Sequence, residues 1–220
     1  MMIKVCGITR RKDALEAADA GASAIGFIFY PKSPRYISPE RAREVGAGLE
    51  GLKSGILKVG VFVDETPASI EAVMGSANLD VAQVYGGRAP QNTRTWLAFR
   101  LPIESLDIVE SVMALEEAGT ALRAEAILLD GPGKGASFDW QLARDWHATS
   151  GAPSKIIIAG GLDASNVAEA IRIAEPWGVD ASSRLESSPG VKDHKKMRQF
   201  IKAARAAAHG SGADAAREAS

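Results

Sequence analysis

A single thiol stands at the end of the first apolar run. Cys6 closes the run Ile3–Cys6, and Gly7 breaks it before a charged, helix-like segment from Arg10 to Ala20. A cysteine there has two readings: a small buried apolar side chain, as free cysteines commonly are, or a base or nucleophile whose reactivity follows its thiolate fraction. Other polar residues end or follow similar runs: Asp64, Gln83, Tyr85, Arg100 and Asp130. An aspartate in that position can equally cap a loop or the next helix. Two pairs of small residues suggest anion chemistry. Gly160-Gly161 precede a helix beginning near Asp163, and Ser182-Ser183 follow the last strand-like run. Glycine lets backbone N–H groups approach an anion, and a helix N-terminus adds partial positive charge. Each pair alone reads as a tight turn, and the two together point to a phosphorylated ligand. The loop FYPKSPRYIS carries Arg35, whose fork can grip a planar carboxylate through two parallel bonds, or which is a solvated charge on a stiff loop. The glycine-rich GPGKGAS after Asp130 is either a lid or merely flexible.

These residues need a frame, and the hydropathy pattern supplies one. Short runs rich in Val, Ile, Leu and Phe occur at Ile3–Cys6, Ala24–Phe29, Leu57–Val63, Val81–Val84, Leu97–Leu101, Ala126–Leu129, Lys155–Ala159 and Gly178–Ala181. Helical segments lie between them. Ser38-Pro39 and Thr66-Pro67 place a capping oxygen before a proline at the first helical position. Val167, Ala170, Ile171 and Ala174 repeat at helical spacing after a cap expected at Asp163, and Met197, Phe200, Ile201 and Ala204 do so after Asp193. Strands apolar on both faces, alternating with helices apolar on one, predict a parallel sheet with helices outside it. Eight such units in 220 residues predict one (β/α)8 barrel, a TIM barrel, over residues 1–208. An open doubly wound sheet is the competitor, but no G-x-G-x-x-G follows the first strand. Residues 209–220 lose the apolar periodicity and read as a flexible tail. In a barrel the chemistry sits at the C-terminal strand ends, where the residues above fall.

Composition narrows the function classes. Lys plus Arg number 26 against 27 for Asp plus Glu, so bulk charge favours neither nucleic acid nor an anionic membrane as partner. One cysteine forms no internal disulfide, and no apolar leader precedes the first strand, so a cytoplasmic protein is expected. His147, His194 and His209 with Cys6 give no zinc spacing, and no metal is expected.

Seven segments taken together, KVCGIT, GFIFYPKSPRYISPE, KVGVFVD, LLDG with SFDW, IIAGGL, GVDASS and ESSPGVKD, resemble the phosphoribosylanthranilate isomerase family of tryptophan biosynthesis, in order and over nearly the whole chain. The resemblance implies a cofactor-free barrel that converts N-(5-phosphoribosyl)anthranilate to 1-(2-carboxyphenylamino)-1-deoxyribulose 5-phosphate, an Amadori rearrangement. It further implies Asp130 as general acid and Cys6 as general base, the latter aided by a positive charge such as Lys4. Arg35 would hold the anthranilate carboxylate, Gln83 and Asp180 the rest of the substrate, and Gly160, Gly161, Ser182 and Ser183 the phosphate. The expected partner is this small molecule, with the chain a monomer or homodimer. Arg184-Leu185 stand where the family usually has glycine-valine, Tyr85 where it has histidine, and the lid after Asp130 is shorter than usual. Two other readings compete: a barrel that binds a phosphorylated ligand without turning it over, and another phosphosugar enzyme, such as a Schiff-base aldolase using Lys4 or Lys155.

Overall fold

A computed structural model describes residues 1–49, 55–86, 88–101, 124–133, 136–149 and 155–218, with the side chains of 146–149 and 210–218 not described. Eight parallel strands close into a barrel in sequence order: β1 (Met2–Cys6), β2 (Ala24–Ile28), β3 (Leu57–Val63), β4 (Val81–Tyr85), β5 (Thr95–Arg100), β6 (Ala126–Asp130), β7 (Lys155–Ile158) and β8 (Gly178–Ala181). Each matches an apolar run within a residue or two. Pairing of β1 with β8, Lys4 beside Asp180, closes the ring.

Helices α1 (Arg11–Ala20), α2 (Pro39–Ala47), α3 (Pro67–Ser76), α4 (Gln141–Thr149), α5 (Val167–Ala174) and α6 (His194–Glu218) follow β1, β2, β3, β6, β7 and β8. Ser38 and Thr66 cap α2 and α3 by accepting from Arg41 and Ser69 N–H groups, and Asp193 accepts from Lys195 and Lys196 at the start of α6. Asp163 does not cap α5. The residue before that helix is Asn166, and the Asp163 carboxylate instead accepts from Ser165 and Arg184, which a nearer partner and a nearby cation both favour. Between β4 and β5 the described residues form no helix. Residues 134–135, in the middle of the glycine-rich loop after β6, lie outside the described part of the chain. Helix α6 continues to Glu218, past Ala208 where the apolar pattern ends.

Two apolar cores result, because every strand buries both faces. One lies between sheet and helices and contains Ile3, Val5, Phe27, Phe62, Ile127 and Phe200. The other fills the barrel with Met2, Val59, Val81, Trp96, Leu128 and Ile157. Trp96 is fully buried and meets Trp177 edge-on at 6.1 Å, plugging the N-terminal end. Further up, the inward positions turn polar: Lys4, Gln83 and Asp180, then Cys6, Tyr85, Arg100 and Asp130. Among the described residues no helix is long and apolar enough to cross a membrane.

Candidate active site

The C-terminal strand ends surround a cavity of about 250 Å³. Its wall includes Cys6, Arg35, Gln83, Asp130, Gly160, Gly161, Asp180, Ser182 and Ser183, so these nine residues face one space. Asp64, also a strand-end aspartate, does not line it.

Cys6 is the last residue of β1 and lies opposite Gly26 of β2. A Cβ at position 26 would come within 2.7 Å of Cys6 Sγ and 3.1 Å of Lys4 Cε, so the thiol and the lysine lean into the room that glycine leaves. Lys4 is wholly buried, and its Nζ donates to Asp180 Oδ2 at 2.8 Å. Burial alone would depress the ammonium's pKa, but the charges of Asp180 and Cys6 raise it above the ordinary value. Lys4 acts on Cys6 in the expected direction, favouring the thiolate, but burial is the larger effect. Burial pushes the Cys6 thiol up, and Lys4, committed to Asp180, opposes that without reversing it.

Asp130 ends β6 beside Arg100 of β5. Burial, with the charge of Asp180 next, raises its carboxyl above the ordinary aspartic range, while Tyr85, Arg100 and Lys4 pull it partly back. Gln83 Oε1 and Asp180 Oδ1 are buried acceptors of this wall with no hydrogen-bond partner among the described residues. Acceptors so placed suit a ligand rich in hydroxyl groups.

Gly160 and Gly161 turn at φ values of 86° and 62°. At position 160 a Cβ would lie 2.3 Å from the backbone nitrogen of Gly131, so this turn packs directly on the loop after β6. Ser182 Oγ donates to the carbonyl of Cys6, tying the β8 turn to the thiol's own strand.

An element unforeseen in the sequence stands behind the wall, bonded to Arg35 and Ser182. Strands β9 (Glu186–Ser188) and β10 (Val191–Lys192) form a small hairpin between β8 and α6. Arg35 spends its parallel pair of donors here: Nε and Nη2 each lie 2.8 Å from a carboxylate oxygen of Glu186, leaving Nη1 for another partner. Buried Lys192 donates to Glu186 at 2.9 Å and to the Ser182 carbonyl at 3.1 Å. Burial lowers the Lys192 pKa, whereas Arg35 and Lys192 together outweigh burial and lower that of Glu186. The turn dipeptide Pro189-Gly190 is the available signal for this hairpin.

The model of the N-(5'-phosphoribosyl)anthranilate isomerase family matches residues 3–203. The chain belongs to that family. The isomerase of Solibacter usitatus is 46% identical, covering 94% of this chain and 98% of its own. A crystal structure of phosphoribosylanthranilate isomerase from Thermotoga maritima superimposes with a TM-score of 0.79 at 35% identity, covering 94% of this chain and 99% of its own. Another structure of such an isomerase, in complex with reduced 1-(o-carboxyphenylamino)-1-deoxyribulose 5-phosphate, gives a TM-score of 0.77 at 34% identity, with the same shares covered.

Arg184 stands where the resemblance implies a glycine, and the structure accommodates it. Its backbone is not in the left-handed region, so no glycine is required there. Its Nη1 reaches Asp163 Oδ2 at 3.2 Å, running along the rim where the β7 and β8 turns meet, and the residue lines the cavity. Arg184→Ala is expected to raise KM about fivefold at unchanged kcat, the scale of a half-exposed ion contact. Steady-state kinetics at low and high salt check this, since the effect should shrink as salt screens it.

Proposed function

We propose that Cys6 and Asp130 carry out the family's rearrangement in this chain. The activity is the isomerisation of N-(5-phosphoribosyl)anthranilate to 1-(2-carboxyphenylamino)-1-deoxyribulose 5-phosphate, a step of tryptophan biosynthesis. Asp130 gives its proton to the ribose ring oxygen while the C1–O bond breaks and the anthranilate nitrogen's lone pair forms C1=N⁺. The Cys6 thiolate then takes the proton from C2, and the C–H electrons become C1=C2 as the nitrogen regains its pair. The enolamine becomes the ketone by losing the O2 proton and gaining one at C1. No atom or electron is left over, so an acid, a base and correct placement suffice.

The observation that carries this reading is one cavity lined at once by a thiol, a raised carboxyl, an arginine and two small-residue turns. Barrel order supports the assignment: β7 and β8, whose turns would hold the phosphate, separate Asp130 on β6 from Cys6 on β1. The ribose would lie between acid and base, its hydroxyls meeting Gln83 and Asp180, and Arg35 would take the anthranilate carboxylate through Nη1. A Schiff-base reading gains nothing from either lysine. Lys4 is a buried, paired ammonium, and Lys155 starts β7 at the opposite end of the barrel, bonded to Glu125 at 3.2 Å. A cytoplasmic enzyme, working as a monomer or homodimer, fits this reading.

The test is disappearance of substrate fluorescence with purified protein across pH. The competent form has Asp130 protonated and Cys6 ionised, although Cys6 is the weaker acid. Between the two pKa values that form is a small and constant fraction. Thus kcat/KM should show a plateau, falling below a lower limb set by Asp130 and above an upper limb set by Cys6. Conversion no faster than the spontaneous rate at every pH would end the proposal.

A further inference from the structure

We propose that Tyr85 is a positioning residue for the acid, its phenol fixing which oxygen of Asp130 carries the proton. The inference rests on Asp130 being the acid. Tyr85 ends β4, and its Oη donates to Asp130 Oδ2 at 3.1 Å across the barrel mouth. Gln83, two residues earlier on the same inward face, donates from Nε2 to that Oη at 3.3 Å. An amide N–H can only donate, so it occupies the phenol's acceptor side and leaves the phenol hydrogen for Asp130. Arg100 lies 5.9 Å over the Tyr85 ring and braces it from the intervening strand β5.

The consequence for Asp130 is chemical. An oxygen that accepts from a phenol acts as the carbonyl oxygen of a carboxylic acid, so a protonated Asp130 carries its hydrogen on Oδ1. That is the oxygen left to serve a ligand. Tyr85 itself does not compete as an acid: burial, then the charge of Asp130, holds its pKa well above that of an ordinary phenol. Besides Tyr85, the charged groups acting on Asp130 are Asp180 of β8, Arg100 of β5 and Lys4 of β1. All of them remain when the phenol oxygen is removed.

Tyr85→Phe removes one oxygen and keeps the ring. It should lower kcat about fivefold with KM within about twofold, the pattern of an interaction used in the transition state rather than in binding. It should also move the lower limb of the kcat/KM profile to higher pH, because the lost hydrogen bond favours the ionised carboxyl. A structural role alone would change thermal stability and KM and leave that limb in place. An unmoved limb in a folded Tyr85→Phe protein overturns the inference. Circular dichroism establishes folding, and Tyr85→Gln, which keeps an amide N–H donor near Asp130, should bring the limb back toward its wild-type position. If the wild-type protein turns substrate over but Asp130→Asn does so equally well, the acid assignment fails and this inference with it, whereas an unmoved limb in Tyr85→Phe beside a crippled Asp130→Asn overturns the inference alone.

Discussion

Asp130→Asn should reduce kcat about 10³-fold, with KM changed by no more than a few-fold. Asparagine is nearly isosteric and its NH2 can still lie near the ring oxygen, but it cannot release a proton at the moment the C1–O bond breaks. That loss corresponds to about 4 kcal/mol of transition-state stabilisation, within what one positioned acid contributes. Binding should survive because the groups proposed to hold substrate lie on other elements: Arg35 in the β2 loop, the turns after β7 and β8, and Gln83 on β4. Asparagine also removes a negative charge that faces Asp180, so the fold should not suffer. Single-turnover fluorescence decay gives the rate, and titration of the mutant with a reduced product analogue gives the affinity. Wild-type kcat in Asp130→Asn would move the acid to another residue, with Asp180 the remaining carboxyl of the cavity wall.

Cys6→Ala should cost about as much, ~10³-fold in kcat, for the opposite half of the chemistry. Burial pushes the thiol's pKa up, and the nearby charges of Lys4 and Lys192 lower it without outweighing burial. Only a small thiolate fraction is therefore present at neutral pH, and the upper limb of the rate profile belongs to that group. Cys6→Ser provides the sharper test. A serine hydroxyl fits the same space beside Gly26 but ionises far less readily, so rate should fall while stability stays near wild type. Thermal unfolding and kcat on the two variants together separate a missing base from a disturbed core. Should Cys6→Ser retain more than a tenth of wild-type kcat, the base is not this side chain.

The frame was legible because its signal is local. Each strand buries both faces, so eight short apolar runs stand out, and the Ser38-Pro39 and Thr66-Pro67 starts of α2 and α3 announce themselves in two residues. Strand-end position then brought Cys6, Gln83, Asp130 and Ser182 toward one rim, since a parallel barrel puts all its C-terminal ends on the same side. Asp163 shows where local reading fails: its spacing suited a cap, yet Arg184 and Ser165 competed for the same carboxylate.

What the sequence determined by itself, then, is the repeating unit, the rim and the chemical types gathered there, because periodicity and strand ends depend on neighbours along the chain. Only the tertiary structure decided the electrostatics. Lys4 and Asp180 are 176 positions apart and meet because β1 pairs with β8. Arg35 and Glu186 are 151 apart and meet because a hairpin folds across the β2 loop. Tyr85 reaches Asp130 over an intervening strand. Burial then set the sign of each proton affinity, raising both Cys6 and Asp130, since the cost of removing a charge from water is fixed by the surrounding shell and not by the residues adjacent in sequence.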